Sequence, residues 1–545
     1  MKFYNSSEHQ HHHPGVKGST GSGTPTRVQL NRYLAAYFSF FHPFLPLLHP
    51  QSFDPPSTAP SLIFAVCAIG ALLCHENTMA AGLHSNSRML VSSIFEVNKD
   101  FPHTRAPAPV WGTQSLVLSV VYAAWSGDPR GLEFISSVRS SLASMTASAV
   151  YEENNGGGRG EDSNAWKRWI HQETVRRTYF SVFVVFGSLA AIFNYPSAIT
   201  NNELPPKTTL PCSEWLWNTS FQSEADWGYH CARDPQPLLF SQALSALTND
   251  QPMPSLSPFA IKILSSALFG EALQSPSHNN NTKLLSTLRV GWENIARDMH
   301  PGQGQLLTTM ATNSTFMSLA TSMEDEMNIL FAGPSPLMSK IRSLQHPLIV
   351  SGYILSLVAQ GRLLLDLTNV HDTIRYHVPH DICSASVNAL NMLGSSGRLR
   401  NSQLTSLVSK CFDLYRIPCL LGLKLVKTTF ASPMVGSCVE SLLCGFELSL
   451  ILIMWCHRVE QDMQAGESLD EDEALLYSVM ERTCFDCGLE KVQGQLSPAL
   501  ALFGAELFEA SDSWGLASVL SLSLRSFGYN LFPNRPPPMN YKQVM

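Results

Sequence analysis

The chain has 545 residues, of which 44% are hydrophobic and only 14% charged, with 36 Lys+Arg against 43 Asp+Glu for a net charge of −7. A disordered chain shows the opposite balance, so most of this one folds and buries itself, as two or three domain-sized units or as one large array. A net-acidic chain does not wrap nucleic acid by bulk charge; such contact would need a local basic patch.

The 12 cysteines are scattered, mostly within apolar runs, as at Cys67, Cys74, Cys444 and Cys456. Buried free thiols in a reducing compartment explain them better than a disulfide framework. The chain opens on polar residues, then His9, His11, His12 and His13, then a Gly/Ser-rich stretch to Thr26. That is a low-complexity tail over residues 1–26, unlike a signal peptide, and the Asn-x-Ser/Thr sites at Asn218 and Asn313 then stay idle. The run from Thr178 to Asn202 lacks charge, but its dense apolar part, Tyr179 to Phe193, is short of the roughly 20 residues a membrane span needs. Pro196 breaks it, so a buried core helix and no membrane contact are expected.

Folded sequence should begin near Val28. Leu34, Tyr37, Phe38 and Phe41 share one helical face, ended by Pro43, Pro46 and Pro50. Ser61 to His75 reads as a second, buried helix. Another helix opens near Gln114 and runs through Leu118, Val121 and Tyr122. Ser136 to Val150 is a further one, closed by the loop Gly156–Gly158. After Asp162–Phe193 come a Pro-rich linker (Pro205, Pro206, Pro211) and a segment carrying Trp215, Trp217 and Trp227. Pro252, Pro254 and Pro258 mark a boundary. In the second half, Pro347 suits the first turn of a helix over Leu348–Leu367. Val439, Leu442, Phe446, Leu450, Ile453 and His457 trace a stripe on a helix whose other face (Leu448, Ile451, Trp455) is apolar too. Strand-like alternation is nearly absent. The expected fold is all-α, a large multi-helix array with a buried apolar core. Its parts are a tail over 1–26, a first helical domain over 27–250, a helical region over 251–531 and a flexible tail over 532–545.

Catalytic and cofactor motifs are missing: no Gly-x-x-x-x-Gly-Lys-Ser/Thr, no Gly-x-Gly-x-x-Gly, no Gly-x-Ser-x-Gly, and no second histidine four residues after His75. Asp470-Glu471-Asp472-Glu473 has the look of a metal-binding acid cluster. Ser468 and Glu471 as a capping box, with acids favoured in a first helical turn, explain it more simply. Cys484 and Cys487 form a lone Cys-x-x-Cys; without a second pair they are two half-buried thiols on a helix. No catalytic, metal-binding or DNA-reading residue is assigned, and the expectation is a protein that is not an enzyme.

Asp162–Phe193 holds the one polar constellation. Trp166, Trp169, Ile170, Glu173, Arg177 and Phe180 recur at spacings of three and four, which puts a glutamate and an arginine in an apolar face. Glu173 precedes Arg177 by four, the favourable order for an ion pair along a helix. Arg176 sits beside them, in reach of a carboxylate. A glutamate in a core face is costly unless paired, so a structural pair or network is expected and burial takes these arginines off any DNA-reading surface.

The string Trp169-x-x-x-Glu173-x-x-Arg176-Arg177-Thr178-x-Phe180, followed by Pro196 and Leu210-Pro211…Trp217, resembles the signature of the fungal-specific transcription factor domain. Upstream, Phe41-His42-Pro43-x-x-Pro46-x-x-His49-x-x-Ser52-Phe53, the Ala65–Gly70 helix and Gln114 follow in the same order. The resemblance covers residues 28–230 closely and the remainder loosely. It implies a helical regulatory region controlling a metabolic or secondary-metabolite gene set from the nucleus. Its implied partners are proteins of the transcription machinery or a DNA-binding relative, with room for a small-molecule effector. Family members bind zinc through a preceding Zn₂Cys₆ or Cys₂His₂ module; residues 1–60 hold no cysteine, so no cofactor is expected here and DNA is met only indirectly or through a module missing from this chain. The alternative is a helical interaction or scaffold protein without DNA binding of its own.

Overall fold

The computed structural model describes residues 25–100, 108–154, 164–234, 237–249, 251, 254, 256–274, 284–288, 346–421, 439–511 and 513–532. The tail to residue 24, the loop Gly156–Gly158, Pro252, Asn313 and the tail from 533 lie outside the described residues.

The first half contains α1 (Arg27–Ala36), α2 (Pro60–Leu73), α3 (Asn77–Asp100), α4 (Val110–Trp125), α5 (Gly131–Asn154), α6 (Ala165–Phe193), α7 (Glu214–Asn218), α8 (Glu224–Cys231), α9 (Phe240–Thr248) and α10 (Pro258–Gln274). The second contains α11 (Pro347–Leu364), α12 (Thr368–Ile374), α13 (Pro379–Ser395), α14 (Ser402–Leu421), α15 (Val439–Gln464), α16 (Glu471–Asp486), α17 (Ser497–Glu509) and α18 (Gly515–Asn530). Among the described residues β-structure is confined to two isolated bridges, Thr209 with Leu239 and Val492 with Gln495. The fold is all-α.

The helix starts follow local chemistry. Thr26 and Gln29 form a capping box ahead of α1, and Pro60, Pro347 and Pro379 occupy first turns, where a missing N–H removes no helical bond. After α1 the chain continues through a π-helical turn, Tyr37–Phe41, and a 3₁₀ turn, His42–Phe44. The acid cluster does cap a helix, but two residues later than expected. Asp470 accepts from the Glu473 N–H at 2.8 Å and Glu473 answers to the Asp470 N–H, so Ser468 and Glu471 are not the box. Arg400 fixes this register: its guanidinium holds Glu473 from a neighbouring loop and accounts for burying that carboxylate. Cys484 is fully buried near the end of α16 and only Cys487, its C-cap, is half-buried.

One apolar cluster runs from Tyr33 through α6 and α15 to Leu531, so the two halves share a core. The length argument against a membrane span fails on numbers: α6, α11 and Leu442–Gln464 are each long and apolar enough to cross a bilayer. Their surroundings decide otherwise, because 89%, 72% and 83% of their most apolar windows are covered by protein. A core helix covered on all sides needs no polar face.

α6 is the strut of this core. Its 29 residues extend about 43 Å at the usual helical rise, and α4, α5, α8, α10, α12 and α15 pack along it. Asn164 caps its start, and Asn194 ends it in the left-handed region at φ 49°.

Candidate functional site: a buried carboxylate and guanidinium network

Glu173 and Arg177 lie one turn apart on α6, both fully buried. Arg177 donates Nε to Glu173 Oε1 at 2.9 Å, and Arg176 Nη1 donates to Glu173 Oε2. The loop before α7 closes the pair. Cys212 donates its N–H to Glu173 Oε1 at 3.0 Å, and its carbonyl accepts from Arg177 Nη2 at 2.8 Å. Glu214 places Oε1 3.5 Å from the same Arg177 nitrogen and accepts from the Phe259 N–H at 3.3 Å, which brings the start of α10 to the network. The Arg177 guanidinium lies 4.8 Å from the Trp217 ring centroid, within the range of cation–π attraction. Trp217 in turn donates Nε1 to the Leu48 carbonyl at 3.1 Å and meets the His49 ring edge-on. One guanidinium therefore ties α6, α7, α10 and the Pro-rich segment after α1.

The electrostatics are those of a closed network. Burial pushes Glu173 up, but Arg176, Arg177 and the Cys212 N–H outweigh it and hold the carboxyl below its usual value. Burial pushes Glu214 up to about 7, with Arg177 only partly offsetting it. Burial, with a smaller contribution from the charge of Arg177, lowers His42 and His49 to about 4.

The expected pair is thus present, and Arg176 joins it while keeping 24% of its side chain exposed; it is not withdrawn from the surface as Arg177 is. Trp169 is half-buried in a satellite cluster with Trp217 and Trp227, whereas Phe180 sits in the main core against Phe240. Gln114 donates to the Leu47 carbonyl at 3.1 Å and to Thr178 Oγ1 at 3.2 Å, one residue beyond Arg177.

Other buried ion pairs were not read from the sequence. Lys262 reaches Glu440 Oε2 at 2.5 Å and the Phe44 carbonyl at 3.2 Å, while Ser188 of α6 also donates to Glu440. A lone lysine in the otherwise apolar run of α10 was the available signal. Arg362 pairs with Glu447 at 2.7 Å and donates to the Ala191 carbonyl at 2.9 Å. Among the described residues no group of three or more His, Cys, Asp or Glu side chains is set to hold a metal. A groove of about 590 Å³ lies between α12 and α13, with Leu367, Val370, Ala389 and Leu393 among its lining residues and Tyr376 and Met392 at its exposed rim.

Residues 34–312 match the sequence profile of the Fungal specific transcription factor domain, and residues 366–526 that of the Fungal transcription factor C-terminal domain. Curated relatives include the zinc finger protein klf1 of Schizosaccharomyces pombe, 24% identical over 44% of this chain and 31% of the relative. The nicotinate catabolism cluster-specific transcription factor of Emericella nidulans is 26% identical over 38% of this chain and 24% of its own length. A transcription factor of Gibberella fujikuroi is 23% identical over 42% and 29%. The chain thus spans about a third or less of these relatives. No solved structure matches it. With the first profile covering more than half of the sequence, the chain belongs to the fungal-specific transcription factor domain family.

Proposed function

We propose that the chain is the helical regulatory region of a fungal transcriptional regulator, acting in the nucleus through protein contacts and meeting DNA through a partner or another module. The observation that carries this reading is the pair of family matches, 34–312 and 366–526, whose described residues share one apolar core. Residues 27–250 and 251–531 are accordingly two parts of one folding unit. Trp169, Glu173, Arg176, Arg177 and Phe180 serve as its structural signature, not as a catalytic or DNA-reading set. Control of a metabolic gene set is supported by the relative named for a nicotinate catabolism cluster. Tethering the chain to an unrelated DNA-binding domain upstream of a reporter should change output several-fold in either direction. Unchanged output, with the fusion folded and nuclear, would favour the scaffold alternative.

For a small-molecule effector we propose the groove between α12 and α13, whose volume of about 590 Å³ falls within the range of ordinary ligand sites. Anilinonaphthalene sulfonate should fluoresce on binding there, and Ala389→Trp, which fills the floor, should abolish the signal. Equal fluorescence from both proteins would place the dye elsewhere.

A further inference from the structure

Three carboxylates converge on the backbone of residues 212–214. Glu173 accepts from the Cys212 N–H at 3.0 Å, Asp234 accepts from the Ser213 N–H at 3.2 Å and from its hydroxyl at 2.5 Å, and Glu214 follows directly in α7. Among the described residues two guanidiniums, Arg176 and Arg177, pair with them. With every group ionised the cluster therefore carries one negative charge in excess. Desolvation makes such an excess costly, and it falls on whichever carboxyl is least well held.

That carboxyl is Glu214. Glu173 has both arginines and the Cys212 N–H, and Asp234 has two bonds from Ser213 and is the less buried. Glu214 has the longer 3.5 Å contact to Arg177 and the Phe259 N–H at 3.3 Å, both through Oε1. Its Oε2 is buried without a hydrogen-bond partner among the described residues.

We infer that Glu214 is a proton-binding site at the joint between α6, α7 and α10, where it sits as a neutral acid and loosens the joint when it ionises. The groups facing it are Arg177 and Glu173 of α6, its own backbone N–H and the Phe259 N–H of α10; Arg176, Cys212 and Asp234 join the cluster through Glu173, Arg177 and Ser213, and His42 and His49 feel the same Arg177 charge from the N-terminal segment. Burial raises the Glu214 carboxyl from 4.5 to about 7 in the folded chain. A raised value means the folded state holds the proton more tightly than the unfolded one. The resulting stability is full below about 4.5 and is lost as pH rises through about 7.

The test is Glu214→Gln in the full chain, because the amide mimics the neutral acid and keeps an oxygen for the Phe259 N–H. Urea unfolding of wild type and variant is compared at pH 5 and pH 7.5. The ratio of their unfolding constants should change roughly 50-fold between the two, in favour of the variant at the higher pH. Asp234→Asn removes the excess charge but not the burial of Glu214, so it should weaken the dependence without abolishing it. An equal ratio at both pH values, a dependence that vanishes in Asp234→Asn, or failure of Glu214→Gln to fold at either pH would each overturn the assignment.

Discussion

Arg375, the residue that follows α12, donates Nε to the Phe193 carbonyl at 2.6 Å and Nη2 to the Asn194 carbonyl at 2.5 Å, closing the C-terminal end of α6 with a cation from the second half of the chain. The last carbonyls of a helix lack intrahelical partners and carry partial negative charge, so a forked guanidinium suits them. Arg375→Leu should lower stability by about 1–3 kcal/mol, read as a shift in urea midpoint at constant slope. Arg375→Lys should recover only part of this, since one ammonium does not span two carbonyls in the same geometry. A midpoint unchanged in Arg375→Leu would mean that water replaces the clamp.

Close packing predicts opposite outcomes for two helical glycines. A Cβ on Gly70 of α2 would stand 2.0 Å from the Tyr33 carbonyl oxygen, where α1 crosses, whereas one on Gly228 of α8 meets nothing within 4 Å. Gly70→Ala must push two helices apart and should cost about 3 kcal/mol or more. Gly228→Ala should instead stabilise by about 0.5–1 kcal/mol, through reduced backbone freedom in the unfolded chain. Thermal melts of the two variants decide this, and equal shifts would contradict the crossing.

Acid should destabilise the fold between pH 6.5 and 4. Burial lowers His42 and His457 to about 4 and His84 to about 3, so all three are neutral when folded. Their unfolded counterparts charge near 6.5, so the stability they confer is present above 6.5 and is lost as pH falls towards the folded values. Each contributes about 1.4 kcal/mol per pH unit in that window, as do His49 and His346, also lowered to about 4, and Glu214 offsets one such contribution. Urea midpoints should fall between pH 7 and pH 5.5, less steeply in His84→Gln. A flat or rising midpoint would mean that these rings are protonated in the fold.

The chain on its own should bind duplex DNA weakly and with steep salt dependence, through scattered lysines and arginines meeting phosphates. Its net charge of −7 and the burial of Arg177 leave little else to work with. Fluorescence anisotropy on random and selected duplexes is the check; tight, sequence-selective binding would reveal a reading surface.

What the sequence made legible was local. Three-and-four spacing placed α4 and α15, and an unbroken apolar run placed α2, because such patterns are written within a few residues. The Glu173–Arg177 pair was readable because both partners sit on one helix, at the spacing that brings them together. Cys212, Glu214 and Trp217 complete the same network from 35 to 44 positions away, and no local spacing encodes that approach. Lys262 with Glu440 and Arg375 with Phe193 were hidden for the same reason. The displaced capping box has another cause. Ser468 and Asp470 offer comparable caps locally, and the choice is made by Arg400, which is distant in sequence.

Glu173 and Arg177 act as one buried structural unit, and a double-mutant cycle at these two positions tests that most directly. Arg177→Ala strips Glu173 of its fully buried partner and should cost about 3–5 kcal/mol, a large share of the roughly 5–15 kcal/mol that holds a domain together. Glu173→Met with Arg177→Leu should be milder than either single change. Glu214 adjusts by holding its proton, and Arg176, already partly exposed, turns to solvent. Denaturant midpoints of the four proteins give the coupling directly. A double variant less stable than both singles, or an Arg177→Ala loss within the roughly 0–1 kcal/mol typical of exposed pairs, would contradict a buried unit.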